Sequence, residues 1–372
     1  SGLPTREGRL SVFWGDQILL NERNVRSDNT HHIEIFAQPT ELDESIRSYG
    51  VIIPSGAGEC RLREKLRPAL IKKLFPDAAG NIYRSIGSFS ITLEAFGAFA
   101  ASEKKAAIMR SGELNTDSGW WQALTSEMEE YVDLLSDKGL SRAKAEKRWK
   151  KTRKVRDQLV SAGKNVSPRK ELIGFVDTGA GSLWIDCGRS SSLFENMLLL
   201  TKNTPEAVAA RKFFGLDREF QVSSDARGLI SENSAVIASK VGRGRLKNCV
   251  VVASDIAEAE AEDSVIIGSV VTRLNAGSAL CYNVVSSREK LGKGDVAVNV
   301  FHPDRGRIVM KTHVTRDGQE DWAKKVRIGE NSFSYPELSD LVGGVSEEDI
   351  KKARMSAVKA VKKERKNNAE HS

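Results

Sequence analysis

The sequence has few of the residues that cross-link small secreted proteins or build zinc sites. Among its 372 residues there are only four cysteines, which lie far apart and form no Cys-x-x-Cys pair: Cys60, Cys187, Cys249 and Cys281. Neither a disulfide framework nor a zinc site is predicted from such spacing. We expect the four thiols to be reduced and packed, as in a cytosolic protein.

Long apolar runs are also missing. No stretch approaches the roughly 20 apolar residues that a membrane-spanning helix requires. The first residues lack the basic-then-apolar layout of a secretory signal peptide. Hydrophobic residues make up 40% and charged residues 29%, which is typical of a globular protein, and the length suggests two or three domains. We therefore predict a cytoplasmic protein without a membrane partner.

The positive charge is not spread along the chain. The formal net charge is +7, but the surplus lies in Lys144–Lys154 and in the last 22 residues. A general cationic surface for nucleic acid is not supported, so a nucleic-acid partner is not expected. The basic helix over 142–161 fits either a phosphate-binding patch or a solvated face with Leu159 and Val160 packed. A single interleaved aromatic residue, Trp149, favours the second interpretation.

The first half of the chain reads as strands. The run Ser11–Leu20 predicts a buried strand that ends at Gly15-Asp16. Two further runs joined by the turn at 54–58 predict a hairpin. Strands are predicted over 31–36, 49–53, 59–65, 86–91, 172–176 and 182–186. A helix over about 92–105 follows the strand at 86–91.

Residues 111–165 have helical periodicity instead. Apolar side chains recur at spacings of three and four and predict one amphipathic helix: Trp121, Leu124, Met128, Tyr131 and Leu135. Gly139 is a plausible stop, and Ser141 caps the basic helix. After Asp186, a helix is expected from Ser190 or Ser191 to Leu200 and a further helical segment over 204–215.

A repeat follows. Short polar turns, each followed by a β-branched run, begin at fifteen- or fourteen-residue intervals: 233–239, 248–254, 263–269 and 277–283. Strands at constant spacing without long helices between them are typical of a parallel β-helix, in which stacked rungs bury one continuous apolar row. A set of short sandwich strands is the alternative. Ser346–Asp349 caps a last basic helix, predicted to be solvated.

These patterns predict an α/β domain over 1–205 with a helical insertion at 111–165. A linker helix over 206–225 leads to a β-helix domain over 226–300. An irregular β extension at 301–345 and a basic terminal helix at 346–372 complete the predicted order.

Three fragments now belong together: an apolar strand with Gly15-Asp16, the hairpin with Glu64-Lys65, and Trp184-Ile-Asp-Cys-Gly188. In this order they resemble the sugar-nucleotidyltransferase (nucleotide-sugar pyrophosphorylase) family. Ser85-Ile-Gly-Ser-Phe89 is similar to the Ser-Met-Gly-Ile-Tyr stretch of ADP-glucose pyrophosphorylases. The resemblance covers about residues 8–300 and implies an incomplete Rossmann-like nucleotidyltransferase domain followed by a left-handed β-helix, which the family often carries.

The resemblance implies a reaction in which a hexose 1-phosphate attacks the α-phosphorus of a nucleoside triphosphate and pyrophosphate leaves. It implies Mg²⁺ as cofactor, with Asp16 and Asp186 as the metal-binding and catalytic aspartates. Lys65 is then the catalytic lysine that holds the sugar phosphate. The remaining residues implied to bind substrate are Gly50, Glu64, Ser85 and Gly87. A homo-oligomer assembled through the β-helix is implied as well.

The sequence departs from the family at one important point. The Gly-x-Gly-Thr-Arg loop that holds the triphosphate is absent, and the nearest match, Gly242–Arg245, lies inside the repeats. Leu66 stands where the family has Pro, and Arg189 where it usually has Thr. Asp16 would be expected roughly a hundred residues into such a chain, so we expect a fragment, inactive or nearly so alone.

Two other functions stay open at this point. A non-catalytic regulatory or scaffold relative would keep the fold and the β-helix without the triphosphate loop. A β-helix acyltransferase would need a catalytic histidine, for which His302, just past the repeats, is the candidate.

Overall fold

A computed structural model describes residues 8–20, 25, 29–55, 59–76, 81–102, 120–136, 139–163, 171–216, 221–222, 225–226, 229–230, 233–316, 326–328 and 331–370. The strands are β1 Arg9–Val12, β2 Gln17–Leu20, β3 His31–Pro39, β4 Gly50–Pro54, β5 Cys60–Glu64, β6 Tyr83–Thr92, β7 Glu171–Asp177, β8 Leu183–Asp186, β9 Gln221–Val222, β10 Asp225–Ala226, β11 Leu229–Ile230, β12 Ala235–Ile237, β13 Lys240–Lys247, β14 Val250–Val252, β15 Asp255–Glu262, β16 Val265–Ile267, β17 Val270–Gly277, β18 Leu280–Tyr282, β19 Val285–Leu291, β20 Asp295–His302, β21 Gly306–His313, β22 Val326–Ile328 and β23 Asn331–Phe333. The helices are α1 Pro68–Leu74, α2 Leu93–Ser102, α3 Gln122–Thr125, α4 Met128–Ser136, α5 Arg142–Gly163, α6 Ser190–Leu198, α7 Pro205–Phe213, α8 Tyr335–Gly343 and α9 Glu347–Glu370.

The chain forms two compact units. One comprises Ser1–Gly15 and Asn21–Trp184, and the other comprises Asp16–Leu20 and Ile185–Ser372. None of the helices within the described ranges is both long and apolar enough to cross a membrane.

The first unit is built on a mixed sheet. Its strand order is β5-β4-β6-β3-β7, with β1 pairing antiparallel to β6. β3 and β7 are parallel, whereas β4 and β5 form the predicted antiparallel hairpin. Apolar residues of the sheet, such as Ile35 and Leu62, pack against Trp121 and Leu159 from the helices.

The helical insertion packs on this sheet, but not as one helix. The predicted amphipathic helix is broken at Ser126, whose backbone is extended, so α3 and α4 are separate. The Ser126 hydroxyl donates to the Gln122 carbonyl oxygen at 2.7 Å, and Trp149 Nε1 donates to the Ser126 carbonyl oxygen at 2.9 Å. These bonds stabilise the break, because they satisfy backbone groups that a continuous helix would pair.

The basic helix α5 packs on the sheet through one face. Val155 and Leu159 are buried in the core, and Val160 is partly buried. The interpretation of 142–161 as a helix with a packed apolar face is therefore confirmed.

The first strand is shorter than predicted. β1 pairs with β6 only from Arg9 to Val12, and the chain then leaves the sheet. Phe13 and Trp14 are 62% and 44% exposed, so the buried strand expected to continue to Gly15-Asp16 is wrong. Asp16 instead lies in the turn that leads into β2.

The second unit contains the predicted parallel β-helix. β12, β14, β16 and β18 stack in parallel with a fifteen-residue offset, so that Ala235, Val250, Val265 and Leu280 lie in one row. A mixed α/β fold followed by a parallel β-helix is therefore confirmed. Each turn also contributes a second, longer strand, and these form a separate sheet with the order β10-β13-β15-β17-β19.

The corners of the β-helix recur with the same period. Ala238, Ala253 and Asn283 have φ of 48°, 48° and 56°, and Gly268 completes this row at 61°. Serines inside the corners form a ladder. Ser239 Oγ accepts from the Ser254 N–H, and Ser254 Oγ accepts from the Ser269 N–H, both at 3.0 Å. The small polar residue of each repeat thus satisfies a buried backbone donor of the next rung.

The terminal helix α9 is packed rather than solvated. Its apolar residues recur at spacings of three and four along one face: Ile350, Ala353, Ala357, Val358 and Val361. That face covers Val270, Val285 and Phe301 of the β-helix, and Val361 is buried. The prediction of a solvated helix is wrong, because outward-facing apolar side chains of the β-helix need a cover.

Candidate functional site

The carboxylates of Asp16 and Asp186 both lie next to Gly188. β2 and β8 form a two-stranded ribbon, with Asp16 directly before β2 and Asp186 at the end of β8. A Cβ added to Gly188 would lie 2.5 Å from Asp16 Oδ2 and 3.2 Å from Asp186 Oδ1. A side chain at this position would therefore displace the Asp16 carboxylate, and glycine lets both carboxylates lie close to the backbone.

Hydrogen bonds fix the backbone around this pair. The Cys187 N–H donates to the Asp16 carbonyl oxygen at 2.8 Å, which ties the two segments together. Asn196 Nδ2, from α6, donates to the Asp186 carbonyl oxygen at 2.6 Å. The Gly188 N–H donates to Asp186 Oδ1 at 2.9 Å and sets the orientation of that carboxylate.

The electrostatics of the pair are acidic. Within the part of the chain that the structure describes, neither carboxylate forms an ion pair with a cationic side chain. Burial raises the pKa of the neighbouring Cys187 thiol, and the charges of Asp186 and Asp16 raise it further. Cys187 is therefore a neutral thiol near pH 7, and it adds no charge to the pair.

The pair fits a magnesium ion better than a metal with an all-protein cage. No group of three or more His, Cys, Asp or Glu side chains suited to a metal occurs among the described residues. Mg²⁺ is commonly held by one or two carboxylates, with substrate phosphates and water completing its six ligands. Two adjacent carboxylates, partly open to solvent and without a protein cation, meet that requirement.

A second cluster lies in the first unit, at the open end of the β4–β5 hairpin. Gly50 is the register partner of Glu64. A Cβ added to Gly50 would lie 2.8 Å from Glu64 Oε2 and 3.4 Å from Ser85 Cβ. Ser85 Oγ accepts from the Gly87 N–H at 3.1 Å, and Gly87 has φ of 80°. The structure thus brings Gly50, Glu64, Ser85 and Gly87 together.

Lys65 lies at the edge of this second cluster. Its Nζ is 3.8 Å from Glu64 Oε1, and its side chain is more exposed than that of Glu64. Lys65 also has φ of 55°, a left-handed conformation that is uncommon for a residue with a Cβ. A strained backbone of this kind is often found at ligand-binding positions, and it suits a residue that binds a ligand.

Arg84 is a further charged residue beside this cluster. Its guanidinium carbon lies 5.5 Å from the centre of the Tyr49 ring and 5.4 Å from the centre of the Trp184 ring. Its Nε donates to Gln38 Oε1 at 3.1 Å. Trp184 Nε1 is buried and has no hydrogen-bond partner in the described ranges. No sequence pattern predicts this arrangement, since its members come from four separate strands and loops.

The remaining candidate is His302, from the acyltransferase alternative. The side chain is buried at the end of β20, and its Nδ1 accepts from the Asp304 N–H at 3.2 Å. His302 therefore stabilises the turn between β20 and β21 through this hydrogen bond.

Comparison with known proteins yields little. No protein family matches the chain, and no curated protein matches it. Among solved structures, the crystal structure of mannose-1-phosphate geranyltransferase from Thermus thermophilus is 15% identical, with a TM-score of 0.26. The match covers 82% of this chain and 65% of that one, so the chain spans less than two thirds of its length. A similarity of this size carries no argument about function.

Proposed function

We propose that the chain carries the metal-binding and sugar-phosphate-binding parts of a sugar-1-phosphate nucleotidyltransferase. The observation that carries this proposal is the placement of Asp16 and Asp186 against Gly188. In the proposed reaction, the phosphate oxygen of a hexose 1-phosphate attacks the α-phosphorus of a nucleoside triphosphate. The bond between the α-phosphorus and the oxygen that bridges it to the β-phosphorus breaks, and pyrophosphate leaves with the electron pair.

The residues of the chain divide this work. Asp16 and Asp186 would hold Mg²⁺, which supplies charge neutralisation at the reacting phosphates. Lys65 would bind the sugar phosphate as a point charge. Glu64 would accept hydrogen bonds from the sugar hydroxyls. Gly50, with Ser85 and Gly87, would leave room for the sugar, because a larger residue at Gly50 would meet the Glu64 carboxylate.

The test is release of pyrophosphate by the protein made from its whole reading frame. A panel of nucleoside triphosphates and hexose 1-phosphates with Mg²⁺ should contain one productive pair. Asp16→Ala and Asp186→Ala should each lower turnover by about 100-fold or more, the size of effect that follows loss of transition-state charge stabilisation. Asp157→Ala removes an exposed carboxylate of α5 and should leave turnover unchanged. Unchanged turnover in either aspartate variant would contradict the metal assignment.

A second candidate is the non-catalytic regulatory or scaffold relative, which would keep the fold and the β-helix. Such a protein would bind Mg²⁺ or sugar phosphate without turnover for any pair. In either case the β-helix is the proposed surface for homo-oligomer formation.

A further inference from the structure

The second sheet of the β-helix presents two columns of outward-facing polar side chains. The register aligns Arg243 with Glu258 and Arg273 with Arg288 in one column. The other column aligns four residues in the same way: Arg245, Glu260, Asn275 and Lys290. All eight side chains are exposed. Each column therefore contains one residue from each of the four long strands β13, β15, β17 and β19, in that order.

In the first column the charges alternate over the first three strands, and the alternation stops at Arg288 on the fourth. Arg273 Nε lies 3.3 Å from Glu258 Oε2, so this arginine forms an ion pair with the glutamate of the preceding strand, β15. Arg288 is the register partner of Arg273 on the next strand, so a second arginine, and not an acid, stands beside Arg273. Neighbouring strands are only about 4.8 Å apart, and like charges directly opposite each other destabilise a sheet. An ordinary ladder of ion pairs would place an acid at position 288.

Seven of the eight residues, all except Arg245, line a cavity of about 490 Å³. Gly244, Ala259, Leu274 and Glu289 complete the lining. The acid on β19, Glu289, is buried and lies 2.7 Å from Lys311 Nζ, so its charge is already compensated. Arg288 and Lys290 form no ion pair with any residue in the described ranges. The end of the cavity formed by β17 and β19 is therefore cationic.

A neighbouring cavity on the same sheet has equal numbers of cationic and acidic side chains in its lining. It has a volume of about 530 Å³, and its charged lining is Arg245, Lys247, Glu260 and Glu262. Lys247 pairs with Glu262, and Arg245 is the register partner of Glu260. Two cations meet two acids there, so the unbalanced charge is specific to the first cavity.

We propose that the first cavity binds a small molecule that carries a phosphate group. The planar guanidinium groups of Arg273 and Arg288 present paired N–H donors that match phosphate oxygens, and Lys290 adds a point charge. A cavity of this volume is in the range of small-molecule sites. Bound phosphate would separate the two guanidinium groups electrostatically and replace the acid that the ladder lacks. This site is independent of the proposed nucleotidyl transfer.

The test is calorimetric titration of the full chain with inorganic phosphate and with pyrophosphate. The titration is done at low ionic strength with a chelator present, so that no divalent cation contributes. Saturable binding with one site is expected, and Arg288→Ala should weaken it about tenfold or more, as expected for loss of charged hydrogen bonds. Arg288→Lys should restore only part of the affinity, since a lysine cannot bind two phosphate oxygens as a fork.

Matched variants separate this site from other sources of phosphate binding. Lys247→Ala removes one cation from the balanced cavity and should leave the affinity unchanged. Lys65→Ala removes the lysine proposed to bind the sugar phosphate, so the phosphate binding that remains in this variant is that of the first cavity and should still be weakened by Arg288→Ala. Equal weakening by Lys247→Ala and Arg288→Ala would show diffuse attraction and overturn the proposal. So would the loss of all phosphate binding in Lys65→Ala, or no binding by the wild-type chain. Arg288 is exposed, so its variants should keep the melting temperature of the wild type.

Discussion

A charged residue in the first unit is buried where the sequence pattern favours exposure. Arg63 follows Leu62 in β5, and strict alternation would place it on a solvent-facing side. Its side chain is only 1% exposed, and its Nε and Nη2 donate to both oxygens of Glu130 at 2.6 and 2.9 Å. Burial lowers the pKa of Arg63, while the hydrogen bonds and charge of Glu130 oppose that shift. The pair is thus a buried, geometrically matched ion pair.

Removing one partner of this pair should be costly. Glu130→Gln leaves the guanidinium buried without its counter-charge, so we expect the free energy of unfolding to fall by about 3–5 kcal/mol. Urea denaturation measures the loss. The matched control is Glu129→Gln, which breaks the exposed pair with Arg142 and should leave the free energy of unfolding almost unchanged, because solvent screens an exposed pair. Equal losses in the two variants would contradict the account of Arg63.

The closeness of Asp186 and Gly188, at the proposed metal site, can be predicted from sequence better than the burial of Arg63 can. Asp186 precedes Gly188 by two positions, and that spacing itself indicates close approach beside a strand end. The burial of Arg63 depends on Phe75 and Glu130, which lie far away in sequence. The centre of the Phe75 ring lies 5.2 Å from the Arg63 guanidinium carbon. No local pattern reports that contact.

At the scale of elements, two properties of the α9 sequence point to opposite predictions. Its basic composition favours a solvated helix, whereas the helical spacing of its apolar residues indicates a face that packs. The structure adds ionic contacts at the edge of the apolar face. Lys362 Nζ lies 2.8 Å from Asp255 Oδ2, and Arg365 Nη1 donates to Asp255 Oδ1 at 2.9 Å. Arg354 donates to Asn283 Oδ1 at 2.7 Å.

Because of these contacts, the stability of the second unit should depend on pH in the acidic range. Burial raises the pKa of Asp255, but the hydrogen bonds and charges of Lys362 and Arg365 outweigh it, and the net pKa is lowered. The charged form is therefore favoured by folding. Its contribution is fully present above the ordinary pKa of 3.8 and is lost as the pH falls through the folded-state value.

Asp255→Asn should accordingly destabilise the chain near neutral pH, by on the order of 1–2 kcal/mol. The difference from wild type should shrink as the pH falls below about 4. Thermal unfolding followed across this pH range measures it, with Asp340→Asn, at an exposed position, as the control. A difference that stays constant down to strongly acidic pH would contradict the role of the Asp255 charge.

At the scale of the whole molecule, the repeat is the strongest sequence signal. The β-branched rows of β12 to β18 recur every fifteen residues and stack as predicted. The second sheet is harder to predict, because in part of it small inward residues alternate with charged outward residues. In β15, Ala259 and Ala261 face the core between Glu258, Glu260 and Glu262. Such a strand resembles a solvated loop until its neighbours in the stack are known.

The central claim is that Asp16 and Asp186 form one cation site, and magnesium titration tests it most directly. Calorimetric titration of the wild type, Asp16→Asn, Asp186→Asn and the double variant gives a double-mutant cycle. One shared Mg²⁺ predicts that each single variant loses about tenfold or more in affinity and that the double variant loses less than the sum of the two losses. Losses that simply add, or an affinity that neither substitution changes, would contradict a shared site.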